Sequence, residues 1–197
     1  QSFTVTVNAV NDAPVATTGL SGEAEEDGSV VITLSGSDID GDNLSFSLDG
    51  DAANGSVSIS GPFATYTPSA NYNGSDSFSF NVSDGYLSSA ATVSLTVNAV
   101  NDAPVLALVD DVSFDEDGSG SLSLSASDVD DPELDFSVTG GSSILASLDG
   151  DYVTFSAPAN FNGSESFTAS VTDGEYTDSQ SFSVTVNAVN DAPVAAS

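Results

Sequence analysis

The 197-residue sequence contains no lysine, arginine, histidine, cysteine, methionine or tryptophan. No carboxylate can therefore form a salt bridge with another side chain of the protein. Nucleic acid is excluded as a direct partner, because phosphate binding depends on lysine and arginine, and an anionic membrane surface is excluded for the same reason. Disulfides cannot stabilise the fold either, which favours metal ions as the stabilising element.

Acidic residues are abundant where basic ones are missing. Thirty aspartates and glutamates give a formal net charge of −30. Each carboxylate must be solvated, hydrogen-bonded, protonated or matched by a cation from outside the chain. The longest apolar runs, such as VLALV from Val105, are too short to cross a bilayer, and no signal peptide is visible. We expect no membrane insertion in this segment, and any export signal or anchor to lie outside it.

One nine-residue phrase, VNAVNDAPV, occurs three times, starting at Val7, Val97 and Val186. Spacings of 90 and 89 residues indicate tandem structural modules. The sequence predicts two complete repeats, residues 13–101 and 102–190. Residues 1–12 are predicted to be the last strand and linker of a preceding repeat, and residues 191–197 the start of a following repeat or a tail.

Each repeat consists of short runs in which apolar and small polar residues alternate. Examples are VVITL from Val30, SFSFNVS from Ser77 and ATVSLTV from Ala91. Period-two runs separated by glycine, asparagine and aspartate indicate antiparallel strands with one buried face. An apolar content of 39% in this pattern argues against disorder. The predicted class is all-β, with tandem immunoglobulin-like sandwiches arranged end to end, and the predicted core includes Phe46, Phe78, Phe80, Leu95 and Val97.

Four acidic motifs recur in register at strand ends or turns. They are EDG, D-x-D within SDIDGD and SDVDD, the acidic end of NGSD and NGSE, and DG. Carboxylate oxygens at alternate positions of a turn suit Ca²⁺, which takes six to eight oxygen ligands. Other acidic residues are interpreted as ordinary turn residues: Asp49, Asp51, Asp110, Asp111, Asp149 and Asp151.

These motifs, together with N-D-A-P at the end of each repeat, resemble the cadherin repeat. In detail the chain is most similar to the bacterial cadherin-like tandem repeats of large secreted and surface adhesins. The resemblance covers essentially the whole chain. It implies Greek-key sandwiches with Ca²⁺ ions between consecutive domains rather than within one.

The resemblance also implies a ligand set for each junction. Ahead of the first repeat the implied ligands are Asn11, Asp12, Asp38, Asp40 and Asp84. Between the repeats they are Glu26, Asp76, Asn101, Asp102, Asp128, Asp130 and Asp173. At the far end Glu116, Glu165, Asn190 and Asp191 are expected to await a further repeat.

The composition and motifs favour one of three classes of function. The favoured one is a calcium-rigidified extension segment of a bacterial extracellular adhesin or fibre at the cell surface, whose partners are neighbouring repeats or other copies of itself. The alternative is an adhesive module that engages polysaccharide or self-associates into filaments by strand addition, using the alternating Phe3, Val5 and Val7. A polysaccharide or cell-surface target could also be bound elsewhere in the protein. An enzyme is not expected, because histidine, cysteine and lysine are missing from the acid–base repertoire.

Overall fold

A computed structural model describes residues 1–192 of the chain. The chain divides into two compact units, Gln1–Val100 and Asn101–Ser197. Every regular element among the described residues is a β-strand, and across residues 1–192 no helix has the length and apolar character needed to span a bilayer. The predicted all-β class with two tandem immunoglobulin-like domains is confirmed.

The first unit contains nine strands. They are β1 (Val15–Ala16), β2 (Leu20–Glu25), β3 (Val30–Thr33), β4 (Gly36–Ser37), β5 (Ser45–Gly50), β6 (Gly55–Ser60), β7 (Phe63–Pro68), β8 (Gly74–Ser83) and β9 (Ser88–Asn98). They form a four-stranded sheet in the order β2-β9-β8-β5, a three-stranded sheet in the order β3-β7-β6, and the short pair β1-β4. All pairings are antiparallel except that of β2 with β9.

The second unit repeats this topology with nine further strands. They are β10 (Val105–Leu106), β11 (Val112–Asp115), β12 (Ser119–Ser123), β13 (Ala126–Ser127), β14 (Asp135–Gly140), β15 (Leu145–Asp149), β16 (Tyr152–Ser156), β17 (Gly163–Thr172) and β18 (Thr177–Asn187). The sheets are β11-β18-β17-β14 and β12-β16-β15, with the pair β10-β13. Strand β11 runs parallel to β18.

Each unit has its own hydrophobic core, built from the inward-facing residue of every second position. In the first unit Tyr66, Phe78, Phe80, Val82 and Val93 are almost completely buried. In the second unit the corresponding core contains a cluster of three aromatic rings, in which Phe155 lies edge-on to Phe167 and Phe182 at centroid distances of 5.3 and 5.9 Å.

The period-two runs identified in the sequence correspond to strands, and four of the five predicted core residues, Phe78, Phe80, Leu95 and Val97, are buried. The fifth, Phe46, is only half-buried, because it packs against the edge of the core, with its ring centroid 6.4 Å from that of Phe80. Residues 1–14 form no strand, and residues 193–197 of the predicted tail lie outside the described part of the chain. The assignment of residues 1–12 to a preceding repeat stays a prediction.

Candidate metal sites

The D-x-D motif of the first unit folds into a tight turn directly after β4. The Oδ1 atom of Asp38 accepts hydrogen bonds from the backbone N–H groups of Asp40, Gly41 and Asp42 at 2.8, 3.1 and 3.4 Å. A glycine at position 41 allows this turn, because its φ of +81° lies in the left-handed region that side chains disfavour. Carboxylate oxygens of Asp38, Asp40 and Asp42 all lie within 4.8 Å of one another.

The N-D segment that precedes β1 is tied to this turn and to the hairpin between β8 and β9. The N–H of Asp12 donates to Oδ2 of Asp40 at 2.8 Å. The side-chain amide of Asn11 donates to Oδ2 of Asp84 at 2.9 Å. One end of the first unit thus brings together the group that the resemblance to the cadherin repeat implied: Asn11, Asp12, Asp38, Asp40 and Asp84.

The second unit builds the same arrangement from its own residues. The N–H of Asp102 donates to Oδ2 of Asp130 at 2.8 Å, and the amide of Asn101 donates to Oδ2 of Asp173 at 2.7 Å. Oδ1 of Asp128 accepts the N–H groups of Asp130 and Asp131. The sequence has Pro132 where the first unit has Asp42, so the turn of the second unit lacks that third carboxylate.

The DG aspartates of the two hairpins are kept ionised by their hydrogen bonds. The amide of Asn11 and the N–H groups of Leu87 and Tyr86 hold the pKa of Asp84 below its usual value. Burial raises the pKa of Asp173, but hydrogen bonds from the Asn101 amide and the N–H groups of Tyr176 and Glu175 outweigh it, and the pKa is lowered. Both carboxylates are therefore anionic at neutral pH and able to act as ligands.

A separate acidic group lies at the other end of each unit, after β2 and β11. Glu26 is only 4% exposed. Its Oε1 accepts the N–H of Val100 at 2.5 Å, and its own N–H donates to the carbonyl of Asn98. In the second unit Oε1 of Glu116 accepts the N–H of Val189 at 2.6 Å. These glutamates therefore fasten the segment that leaves the last strand of their unit.

Asp76 and Glu165, the acidic residues of NGSD and NGSE, have their oxygens engaged elsewhere. Asp76 accepts the N–H groups of Ala53 and Asn54 and the hydroxyl of Tyr66. Its own burial raises the pKa of Asp76, but these hydrogen bonds lower it below the usual value.

Glu165 accepts the N–H groups of Ser142, Ser143 and Ile144, which lower its pKa to about 2. In that environment the carboxylate organises the turn between β14 and β15, as Asp76 does for the turn between β5 and β6. Nothing in the sequence alone distinguishes this use of a carboxylate from metal ligation. Neither Asp76 nor Glu165 has an oxygen left for a metal ion without losing these hydrogen bonds.

Asn190 and Asp191 follow β18 and are exposed, and the amide of Asn190 donates to the carbonyl of Asp191 at 3.1 Å. Asn11 makes the same contact with the carbonyl of Asp12 at 3.2 Å. The N-D pair therefore adopts the same local geometry at both positions.

Among residues 1–192, the buried carboxylate oxygens that accept no hydrogen bond include Oε2 of Glu26 and Oδ2 of Asp38 and Asp128. A buried anionic oxygen without a partner is costly, because desolvation is not compensated. The chain has no basic side chain that could compensate it. Oxygen donors in this number and charge suit a hard divalent cation, so the residues present fit Ca²⁺.

Comparison with known proteins places these two units in a family. The model of the bacterial Ig domain matches residues 11–96 and again residues 101–187. The chain belongs to the bacterial Ig domain family. Each match begins at the N-D segment and ends within or at the end of the last strand of its bacterial Ig domain. No curated protein matches the chain.

Solved structures of cadherin ectodomains share the fold of the paired bacterial Ig domains. Drosophila N-cadherin EC1-4 is 17% identical with a TM-score of 0.60, over 91% of this chain and 50% of that one. Human protocadherin-24 EC1-2 is 18% identical with a TM-score of 0.59, over 91% of this chain and 100% of that one. At these identities the similarity shows the fold alone.

Two endo-fucoidan hydrolase structures of glycoside hydrolase family 107 also match, each 21% identical, with TM-scores of 0.42 and 0.43. The chain spans about 30% of their length.

Proposed function

We propose that the chain is a calcium-stiffened extension segment of a bacterial extracellular adhesin or fibre, with Ca²⁺ bound where consecutive domains join. The observation that carries the proposal is the set of buried, unpartnered oxygens on Glu26, Asp38 and Asp128 in a chain without a basic side chain. Membership of the bacterial Ig domain family and the cadherin-like fold support the role as a tandem structural module.

The ligands assigned to the ion ahead of the first unit are Asn11, Asp12, Asp38, Asp40 and Asp84. For the second unit they are Asn101, Asp102, Asp128, Asp130 and Asp173, to which the preceding unit adds Glu26. Val100 and Asn101 are consecutive residues, and each is hydrogen-bonded within its own unit, to Glu26 and to Asp173. Glu116, Asn190 and Asp191 are proposed to serve a following domain in the same way.

A bound Ca²⁺ supplies positive charge that these carboxylates share. Without it the clustered carboxylates repel one another, and the residues between the domains are free to bend. Extracellular calcium modules bind with dissociation constants of about 10⁻⁴–10⁻³ M. Such affinities leave the sites filled outside a cell and largely free of calcium inside it, so the segment stiffens only after export.

Terbium luminescence tests the binding sites one at a time, because Tb³⁺ substitutes for Ca²⁺ and is excited through a nearby tyrosine. The chain has no tryptophan, and the hairpin tyrosines Tyr86 and Tyr176 lie within three residues of Asp84 and Asp173. We expect Tb³⁺ to luminesce at two sites and Ca²⁺ to displace it from both. Tyr86→Phe removes the signal of the first site and Tyr176→Phe that of the second.

Asp38→Asn lowers the affinity of the first site for Ca²⁺ by about tenfold or more, since ligand charge sets the affinity of such sites. The affinity of the second site is unchanged. Asp110→Asn removes the same charge from an exposed residue outside both clusters and is the matched control. Equal effects of Asp38→Asn and Asp110→Asn, or no saturable terbium signal, would contradict the proposal.

A further inference from the structure

Strand β15 forms an open edge of the second unit. Among residues 1–192, β16 is the only strand that pairs with it. Every second residue of an edge strand directs its N–H and C=O groups away from the sheet. Ile144 belongs to this outward set, because its N–H donates to Oε2 of Glu165 on β17. Ala146 and Leu148 follow at the same spacing, so their backbone groups face outward with no neighbouring strand.

The corresponding edge of the first unit is blocked by carboxylates. Val57 of β6 corresponds to Ala146, and its outward N–H donates to Oδ1 of Asp51 at 3.2 Å. The neighbouring edge strand β5 shifts register at Asp49, which adds a charge and an irregularity to that side of the sandwich. Charges and bulges of this kind keep a sheet edge from pairing with another chain.

In the described residues of the second unit neither of these devices is present. Strand β14 pairs with β17 in unbroken register, and Gly141 stands where the first unit has Asp51. Gly141 has a φ of +69°, and a Cβ added there would lie 2.4 Å from the carbonyl oxygen of Ile144. A blocking side chain therefore cannot occupy this position unless the turn changes, and the edge of β15 stays open.

The side chains of β15 and the charge of the chain indicate what kind of segment fits this edge. Ala146 and Leu148 are half-buried and pack against the core, whereas Leu145 and Asp149 are exposed on the outer face. An added strand therefore needs an apolar residue at every second position, beside Ala146 and Leu148. A net charge of −30 with no basic side chain repels a second copy and attracts a cationic segment.

We propose that the outer edge of β15 binds an extended peptide segment in which apolar residues alternate with lysine or arginine. The segment adds to the sheet as a further strand. It accepts hydrogen bonds from the N–H groups of Ala146 and Leu148 and donates to their carbonyls, while its basic side chains lie on the face that carries Asp149. This interaction goes beyond calcium stiffening and uses none of the assigned calcium ligands.

A short fluorescein-labelled peptide of alternating lysine and valine is the probe, and fluorescence anisotropy follows its binding to the full chain. We expect one bound peptide per chain, with hydrogen-exchange protection gained at the N–H groups of Ala146 and Leu148. A peptide of the same charge with proline in place of its central valines cannot form a strand, so it should bind at least about tenfold more weakly. Titrations with saturating Ca²⁺ and with chelator keep this test separate from that of the calcium sites.

Ala146→Pro removes the outward N–H from β15 and leaves its pairing with β16 intact, because an edge strand tolerates proline where the N–H faces solvent. We expect the affinity for the peptide to fall at least about tenfold, as the loss of one or two hydrogen bonds implies. Val57→Pro is the matched control. It makes the same change in the first unit, where Asp51 already holds the N–H, and should leave the affinity unchanged.

Asp51→Ala tests the same idea by gain of binding and does not depend on the folding of Ala146→Pro. It frees the N–H of Val57, so we expect a second peptide to bind, with exchange protection at β6. The proposal is overturned if Asp51→Ala still binds one peptide, if Ala146→Pro and Val57→Pro bind alike, or if the proline-containing peptide binds as tightly. Self-association through β15 without peptide binding would identify a second copy as the partner and would also overturn it.

Discussion

At the scale of single residues, the carboxylates of this chain have two different roles. Asp76 and Glu165 accept several backbone N–H groups and organise a turn. Asp38 and Asp128 use one oxygen for the turn and keep the other buried without a donor. A buried second oxygen without a donor therefore distinguishes Asp38 and Asp128 from Asp76 and Glu165.

The hydrogen bonds to Glu165 should make the stability of the second unit depend on pH in the acid range. Its pKa falls from the ordinary value of 4.5 to about 2 on folding, so the unfolded chain binds the proton first as pH drops. The stabilisation is complete above about pH 4.5 and is lost between there and about pH 2. We expect Glu165→Gln to flatten this part of the acid limb for the second unit, measured by urea unfolding in calcium-free buffer over that range.

Glu133→Gln is the matched control for this change, since it removes a charge from an exposed glutamate of the same unit. The interpretation of Glu165 fails if both variants follow the wild-type pH dependence equally.

At the scale of elements, alternation in the sequence was sufficient to place the strands that carry one buried face, among them β3, β7, β8 and β9. It did not identify β2, whose sequence LSGEAE has two glutamates and a glycine. That strand exists because it pairs in parallel with β9, which is a contact between distant parts of the chain. Its Gly22 faces Ile32 and Leu95 so closely that an added Cβ would lie 2.9 Å from Ile32 Cγ1.

The candidate metal sites also combine local contacts, which a sequence motif can indicate, with contacts between distant parts of the chain, which it cannot. The D-x-D motif acts locally, since Asp38 Oδ1 accepts the N–H groups of residues 40–42. The contacts of Asn11 with Asp84 and of Asp12 with Asp40 join distant parts of the chain, and only the resemblance to the cadherin repeat implied that grouping. The environment of Asp76 depends on Tyr66, a residue on another strand, whose pKa is raised by burial and by the neighbouring carboxylate. The sequence contains no local signal of that pairing.

Strand β8 offers a direct test of where the first core lies. Phe80 is fully buried, and Phe80→Ala should lower the free energy of unfolding of that unit by about 3–5 kcal/mol. This corresponds to a fall in melting temperature of at least about 12 °C for a domain of this size. Calorimetry should show the shift in one unit only.

Phe63→Ala deletes the same side chain at a half-exposed position of β7 and should cost much less. Comparable losses for the two variants would show that the core is placed wrongly.

At the scale of the whole molecule, a net charge of −30 without a compensating cation opposes compaction. Cations that bind only the folded form stabilise it by mass action. Ordinary salt also weakens this repulsion between carboxylates, because the screening length falls from about 30 Å at 0.01 M to about 3 Å at 1 M.

We expect NaCl to raise the melting temperature markedly in the presence of chelator and only slightly when Ca²⁺ is saturating. Differential scanning calorimetry in both conditions measures this. A salt effect of equal size with and without Ca²⁺ would mean that bound ions do not relieve the repulsion at the clusters.

The most direct test of calcium stiffening is the spread of distances between the two units. The chain has no cysteine, so Ser58→Cys and Ser147→Cys place unique spin labels at exposed, equivalent positions of β6 and β15. Pulsed electron–electron resonance then gives the distance distribution between them. We predict a broad distribution in chelator that narrows to a single peak at millimolar Ca²⁺, and that stays broad when Asp128→Asn is added. A distribution of the same width with and without Ca²⁺ would contradict the account.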